Sequence, residues 1–323
     1  MAIPADLNLP SAVTPRIADG IDQLIGGTPL LRLPLDGEAA PGVQVLAKLE
    51  SANPLASVKD RTALWMLRAA EAAGELELGR GTVIEATSGN TGIALAALAA
   101  ARRYRCVIVM PDNATQERIN LLGALGAEVV LTPSELRFQG CIDKAEEIHR
   151  ATPGSWYARQ HENVENVRAH RETTGPEIWA DTGGTVNLLV CGIGTGGTLC
   201  GAAGFLKEQN GELRAVAVEP ASSPLLSQGF AGQHAIPGLT GGFVAPTTDL
   251  SLIDEVLTVS DEEALHTARW LARRVGVLAG ISSGAAVHAA LRLARRPEQA
   301  GRTIVTVLPD TGERYLSVWP AAE

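Results

Sequence analysis

Aromatic residues are scarce in this chain: Phe, Tyr and Trp together make up 4% of 323 residues, too few for the stacking platforms on which single-stranded nucleic acids lie. Positive charge is not in excess either. Lys and Arg number 27 against 36 Asp and Glu, a net charge of −9, which disfavours nucleic acids and anionic membranes as partners. Long apolar runs are missing. The longest spans Ile93 to Ala101 and stops at Arg102 and Arg103, too short for a bilayer. The first twenty residues hold Asp6 and Asp19 and no apolar core, so a secretory signal is not expected. The only cysteines, Cys106, Cys141, Cys191 and Cys200, lack CxxC spacing and an accompanying His cluster. No metal or redox site is expected from them; they read as small buried hydrophobes in a reducing cytoplasm. Lysine is also rare: Lys48, Lys59, Lys144 and Lys207 stand beside 23 Arg.

What is present is an ordinary folded composition, 46% hydrophobic and 20% charged, over a length that suits two domains. No period of 20–50 residues recurs, which excludes a solenoid. The recurring unit is strand, Gly-rich turn, helix. Strands are expected at 43–49, 82–86, 106–110, 129–131, 186–191, 214–219, 255–259 and 303–308. Helices are expected over 58–73, from about Thr91, through Ile119, Leu122 and Leu125 to Gly126, and near 138–150, 166–181, 197–209, 261–275 and 283–296. Strands that are apolar throughout and alternate with helices imply an α/β fold of two open, mainly parallel twisted sheets flanked by helices. The break between the two units is placed near 150–156, where TPGS interrupts the helical pattern, and 1–20 reads as an N-terminal arm.

Three Gly-rich turns stand where a strand hands over to a helix, the usual place for ligands in open α/β sheets. Thr87-Ser88-Gly89-Asn90-Thr91-Gly92 offers hydroxyls and helix-start N–H groups suited to a carboxylate; a capped helix after a tight turn is the alternative. Gly194-Thr195-Gly196-Gly197-Thr198 has the composition of a phosphate cradle. Gly192, Gly194 and Gly197 also spell G-x-G-x-x-G, with Glu219 ending the next strand. A dinucleotide pyrophosphate in an NAD-dependent dehydrogenase therefore competes with a cofactor carrying one phosphate. Gly280-Ile281-Ser282-Ser283-Gly284 reads locally as an N-cap.

A Schiff-base enzyme needs a lysine, since arginine cannot become a nucleophile. Lys144 and Lys207 lie among charged residues and Lys48 within an apolar strand, whereas Lys59 opens a helix after Asn53-Pro54-Leu55-Ala56-Ser57-Val58. The positive end of that helix would help its amine lose a proton. Lys59 is the candidate left by elimination, a salt-bridged surface lysine being the alternative.

Taken together, GGTPLLRL (26–33), AKLESANPLASVKDR (47–61), EATSGNTGIALA (85–96), HRETTGPEIW (170–179), GIGTGGTLCG (192–201), LAGISSGAA (278–286) and LPDTGERYLS (308–317) resemble the cysteine synthase family (O-acetylserine sulfhydrylases) and the related cystathionine β-synthases. These are pyridoxal-phosphate enzymes of fold type II, with the tryptophan synthase β-like architecture. The motifs run in family order from about residue 21 onward. The resemblance implies a smaller domain over 51–155, a larger one from 21–50 plus 156–323, and pyridoxal 5′-phosphate between them. It implies Lys59 as the internal-aldimine lysine and α-proton base, Asn90 on the pyridoxal 3′-oxygen, and Gly194, Thr195, Gly196, Gly197 and Thr198 as the phosphate cradle. Ser282, in preference to Ser283, falls on the pyridine nitrogen, and Thr87, Ser88, Thr91 and Gln160 on the substrate carboxylate.

The implied reaction is β-replacement of O-acetyl-L-serine by sulfide through an α-aminoacrylate, giving L-cysteine and acetate. The same chemistry with homocysteine, thiosulfate or another nucleophile is the nearest alternative. A cytoplasmic homodimer, with serine acetyltransferase as a possible partner, is implied as well. The sequence departs from the family at His161, where an aromatic residue usually follows the glutamine, and over 133–140, which lacks the usual glycines.

Overall fold

The computed structural model describes residues 17–35, 37, 39–317 and 319; most of the expected arm at 1–20 lies outside them. Ten strands are described: β1 Leu30–Arg32, β2 Gln44–Leu49, β3 Thr82–Ala86, β4 Arg105–Pro111, β5 Glu128–Thr132, β6 Ser155–Tyr157, β7 Val186–Gly192, β8 Arg214–Pro220, β9 Glu255–Val259 and β10 Thr303–Leu308. The helices are α1 Lys59–Ala72, α2 Asn90–Arg102, α3 Gln116–Ala124, α4 Arg137–Ala151, α5 Glu165–Ala169, α6 Gly175–Asp181, α7 Gly197–Gln209, α8 Leu225–Gln228, α9 Asp261–Trp270 and α10 Ile281–Ala294.

The strands form two sheets. One has the order β1-β2-β10-β7-β8-β9, the other β5-β4-β3-β6. Every pairing is parallel except β1 with β2. The central strands explain the architecture. All of β10 (TIVTVL) and all of β3 (TVIEA) is buried, so both faces need covering, and the crossover helices supply the cover. Val190, Val218 and Ile304 pack under α10 on one face of the larger sheet, while Leu189, Ala217 and Val305 pack against α7 on the other. On the smaller sheet, Val83 and Ile108 face α1 and α2, and Ile84 and Val107 face α4.

Two strands were not foreseen. β1 and β6 have three residues each, too short to show a period. β6 pairs with β3, so the expected cut between residues 155 and 156 falls inside a strand. The helices expected over 166–181 and 261–275 both contain a π-turn, His170–Thr174 between α5 and α6 and Leu271–Val275 after α9. The first of these sets His170 beneath the Gly-rich turn after β7.

The carboxyl ends of β3, β7 and β10 lead into the segments 87–89, 193–196 and 309–315. These converge at the junction of the two sheets. Pro309 accepts from Val58 N (2.8 Å) just before α1, and Gly280 N, just before α10, donates to Asp310 O (3.2 Å). Below this junction lies a buried ionic cluster. Arg61 of α1 bonds both Glu50 (2.7 Å) and Glu177 (2.6 Å), and Lys48 of β2 reaches Glu177 (2.8 Å).

Candidate active site

A cavity of about 390 Å³ opens at the junction, lined among others by Lys59, Thr87, Ser88, Asn90, Thr91, Gln160, Gly194 and Thr195. Eight of the expected site residues, drawn from four segments, thus share one wall. Gly196, Gly197 and Thr198 follow directly at the start of α7. Ser282 sits buried in the first turn of α10, outside the residues that line the cavity.

The turn after β3 is shaped by Thr87, whose Oγ1 accepts from Gly89 N (3.0 Å). No side chain caps α2, which leaves first-turn N–H groups free to meet an anion at the cavity. Thr91 Oγ1 donates to Gln160 Oε1 (2.5 Å), so the Gln160 amide is oriented with its nitrogen away from Thr91. Beneath it, burial pushes the Glu85 carboxyl up to about 8 despite the amides of Gln160 and Arg159 that face it.

The lysines separate by partner. Lys48 is paired with Glu177, Lys144 with Glu147 and Lys207 with Asp254. Among the described residues no carboxylate pairs with Lys59. It is the first residue of α1, and burial pulls its amine down to about 8. An amine so poised is available both as nucleophile and as proton acceptor.

The turn after β7 has no room for side chains. Gly196 has φ +79°, and a Cβ there would come 2.3 Å from Thr248 Oγ1; a Cβ on Gly197 would come 2.1 Å from Asn166 Oδ1, and one on Gly194 2.4 Å from Gly238 O. The loop is held from below: Asn166 donates to Thr195 Oγ1 (3.0 Å) and Thr247 to Thr195 O (2.5 Å), while Thr198 Oγ1 lies 3.2 Å from His170 Nε2. Burial, then the charges of Arg61 and Lys59, hold the His170 imidazole well below its ordinary value, and therefore neutral. Gly196 carries no side-chain cap onto α7; Gly197 N makes a long bond to Thr195 Oγ1 (3.4 Å), and the N–H groups that follow it in the first turn lack a helical partner. A single phosphate fits such a cradle.

The dinucleotide reading fails on Glu219. Its carboxylate is fully buried and consumed locally, accepting from Leu226 N (2.7 Å), Ser227 N (3.1 Å) and Ser227 Oγ (2.6 Å). Fully buried behind these bonds, it is out of reach of a ribose.

The third side of the site is a network that the sequence did not single out. Asp310 Oδ2 accepts from Asn90 Nδ2 (2.7 Å) and from the Tyr315 hydroxyl. Arg314 donates to Asn90 Oδ1 and to Leu55 O. Arg118 donates to Ser88 O and lies over the Tyr315 ring at 5.6 Å. Arg118, Phe138, Tyr315 and the loop residues Pro237, Gly238, Leu239 and Gly241 line the cavity too. Asp310, Arg314 and Tyr315 lie within the motif at 308–317, to which the sequence reading assigns no separate roles. His161 also lines the cavity, packed against Phe138 (5.6 Å) and Phe243 (5.2 Å). Burial and the neighbouring Lys59 charge pull it down to about 4, and its Nδ1 is buried without a partner among the described residues.

Comparison with known proteins agrees with this chemistry. A family model described as pyridoxal-phosphate dependent enzyme matches residues 21–310. The chain belongs to this family, and its cofactor is pyridoxal 5′-phosphate. Among individual relatives, a cysteine synthase of Staphylococcus aureus is 45% identical over 302 residues, covering 93% of this chain and 96% of its own. The solved cysteine synthase of Entamoeba histolytica superposes with a TM-score of 0.92 at 38% identity, covering 97% and 94% of the two chains. A solved O-ureido-L-serine synthase superposes with a TM-score of 0.89 at 43% identity, covering 94% of each chain.

Proposed function

We propose that this enzyme is a cysteine synthase, replacing the acetoxy group of O-acetyl-L-serine by sulfide to give L-cysteine and acetate. The observation that carries the reading is Lys59: an amine without a carboxylate partner, facing the same cavity as an uncapped helix start and close to an empty-sided glycine cradle. When bound, the cofactor supplies an electron sink for negative charge at the substrate α-carbon. Lys59 anchors it covalently and takes the α-proton. The backbone of Gly194, Gly196 and Gly197, with the hydroxyls of Thr195 and Thr198, receives the phosphate. Asn90 donates to the ring oxygen. Thr87, Ser88, Thr91 and Gln160 hold the substrate carboxylate and so fix the α-proton against Lys59. Ser282, buried beside the cavity wall, would meet the ring nitrogen. A hydroxyl is a poor proton source, so it leaves that nitrogen unprotonated, which favours loss of the α-proton coupled closely to departure of acetate.

We divide the chain into a smaller unit around β3 to β6 and a larger one around the six-stranded sheet, with the cofactor between them. We further take it to act as a cytoplasmic homodimer able to dock a serine acetyltransferase. Four buried free thiols suit a reducing compartment, and no helix among the described residues is long and apolar enough to cross a membrane. Light scattering on the purified protein tests the dimer.

The visible spectrum tests the reaction. The protein should be yellow, its band should move to longer wavelength with O-acetylserine, and sulfide should restore it. A colourless protein that pyridoxal phosphate cannot reconstitute overturns the reading. His161 supports one second reading, the same replacement with a different nucleophile, because a neutral hydrogen-bonding ring stands at the cavity wall. A band that responds to O-acetylserine and ignores sulfide would select it.

A further inference from the structure

The Asn90 amide is held at both ends by one chain segment. Its Nδ2 donates to Asp310 Oδ2 at 2.7 Å and its Oδ1 accepts from Arg314. An amide has two donor hydrogens and one acceptor oxygen. With the oxygen engaged by a guanidinium and one hydrogen by a carboxylate, only the second N–H remains for the cavity. The amide can therefore present a donor and cannot turn over to present an acceptor.

The holding residues are themselves fixed. Asp310 is 2% exposed and bonded by the Tyr315 hydroxyl. Its backbone joins Ser57 on one side and Gly280 on the other. Its second oxygen, Oδ1, is buried without a partner among the described residues and sits where any Cβ on Gly280 would come within 2.1 Å. A buried carboxylate with half its capacity unused is costly and is retained here beside a cavity-lining amide. Arg314 spans from Asn90 to Leu55 O and so links the amide to the approach of Lys59.

We infer that Asp310 and Arg314 are positioning residues that lock Asn90 as a one-way donor toward the oxygen on the cofactor ring. The inference rests on the assignment of Asn90 to that oxygen. Neither residue touches the reacting atoms; both act through the amide.

The test is reconstitution of apoprotein with pyridoxal phosphate, reading the dissociation constant and the wavelength of the visible maximum. Wild-type protein that fails to bind the cofactor overturns the cofactor reading itself, independently of the variants. Asp310→Ala and Arg314→Met should each weaken binding about tenfold, the scale of one net hydrogen bond, and shift the visible maximum. Asp310→Asn should restore both, because its amide oxygen still accepts from Asn90. Adding Asp310→Ala to Asn90→Ala should cost nothing beyond Asn90→Ala alone. Losses that multiply in the double variant, or single variants with wild-type affinity and wavelength, overturn the positioning role. Should Asp310→Ala fail to fold, Arg314→Met alone and combined with Asn90→Ala decides the question from the other end of the amide.

Discussion

Lys59 differs from the other three lysines in having no carboxylate beside it, and that difference is chemically readable. At pH 8 an amine-reactive reagent should label Lys59 of the apoprotein ahead of Lys48, Lys144 and Lys207, which are ion-paired with Glu177, Glu147 and Asp254. Peptide mapping by mass spectrometry checks this, and bound cofactor should protect the site. Lys59→Ala should abolish turnover; substantial residual cysteine synthesis would remove Lys59 from the mechanism. The same burial carries a stability signature. The folded amine titrates near 8 and the unfolded one at 10.5, so between those values the unfolded chain binds more protons. The stability of the apoprotein contributed by this group therefore rises with pH across that window. Urea titrations at pH 8 and pH 10 should show the rise, and Lys59→Met should remove it.

The turn from β7 into α7 shows how little an element tolerates where backbone is the ligand. Gly196→Ala must place a Cβ against Thr248 at φ +79°, a strained conformation that costs about 1–3 kcal/mol. Gly196→Asp adds charge repulsion against the phosphate. Both variants should lose cofactor on dialysis, the second completely, as followed by visible absorbance. Such turns were legible because apolar runs, glycines and hydroxyls are local features, and nearly every strand and helix followed from them. Apart from the single-turn helix α8, what escaped notice is made by contacts distant in the chain. β1 and β6 exist only through their pairing with β2 and β3. Arg118, Phe138 and the loop 237–241 reach the cavity by folding over it. Ser282 was expected at the cavity and lies buried beside it, linked to the wall through Gly280, Asp310 and Asn90. The lowered basicity of Lys59 was legible in direction from its place at a helix start; the burial that adds to it was not, since burial is a property of the assembled fold.

At the scale of the molecule, the cluster of Arg61, Glu50, Glu177 and Lys48 fastens α1 to the larger sheet. Arg61 and Glu50 are both fully buried. Glu50→Ala should destabilise the fold by about 3–5 kcal/mol, because it strips a buried guanidinium of a partner; denaturant unfolding measures this. Burial alone would raise Glu177, yet its bonds with Arg61 and Lys48 hold it at about 2. Its contribution is present above pH 4.5 and drains away as pH falls toward 2, so acid unfolding of Glu177→Gln should be less steep over that range. The sheet order has a further consequence, for the order of events during synthesis. The smaller sheet is built from one continuous stretch, 82–157, and can close as soon as that stretch emerges. β2 is made long before but must wait for β10 to arrive beside it. Its apolar sequence is meanwhile an unpaired edge. The last strand translated is thus the keystone that admits β2, and β1 with it, to the larger sheet, and a nascent chain stalled before Thr303 would leave an edge for chaperones to guard.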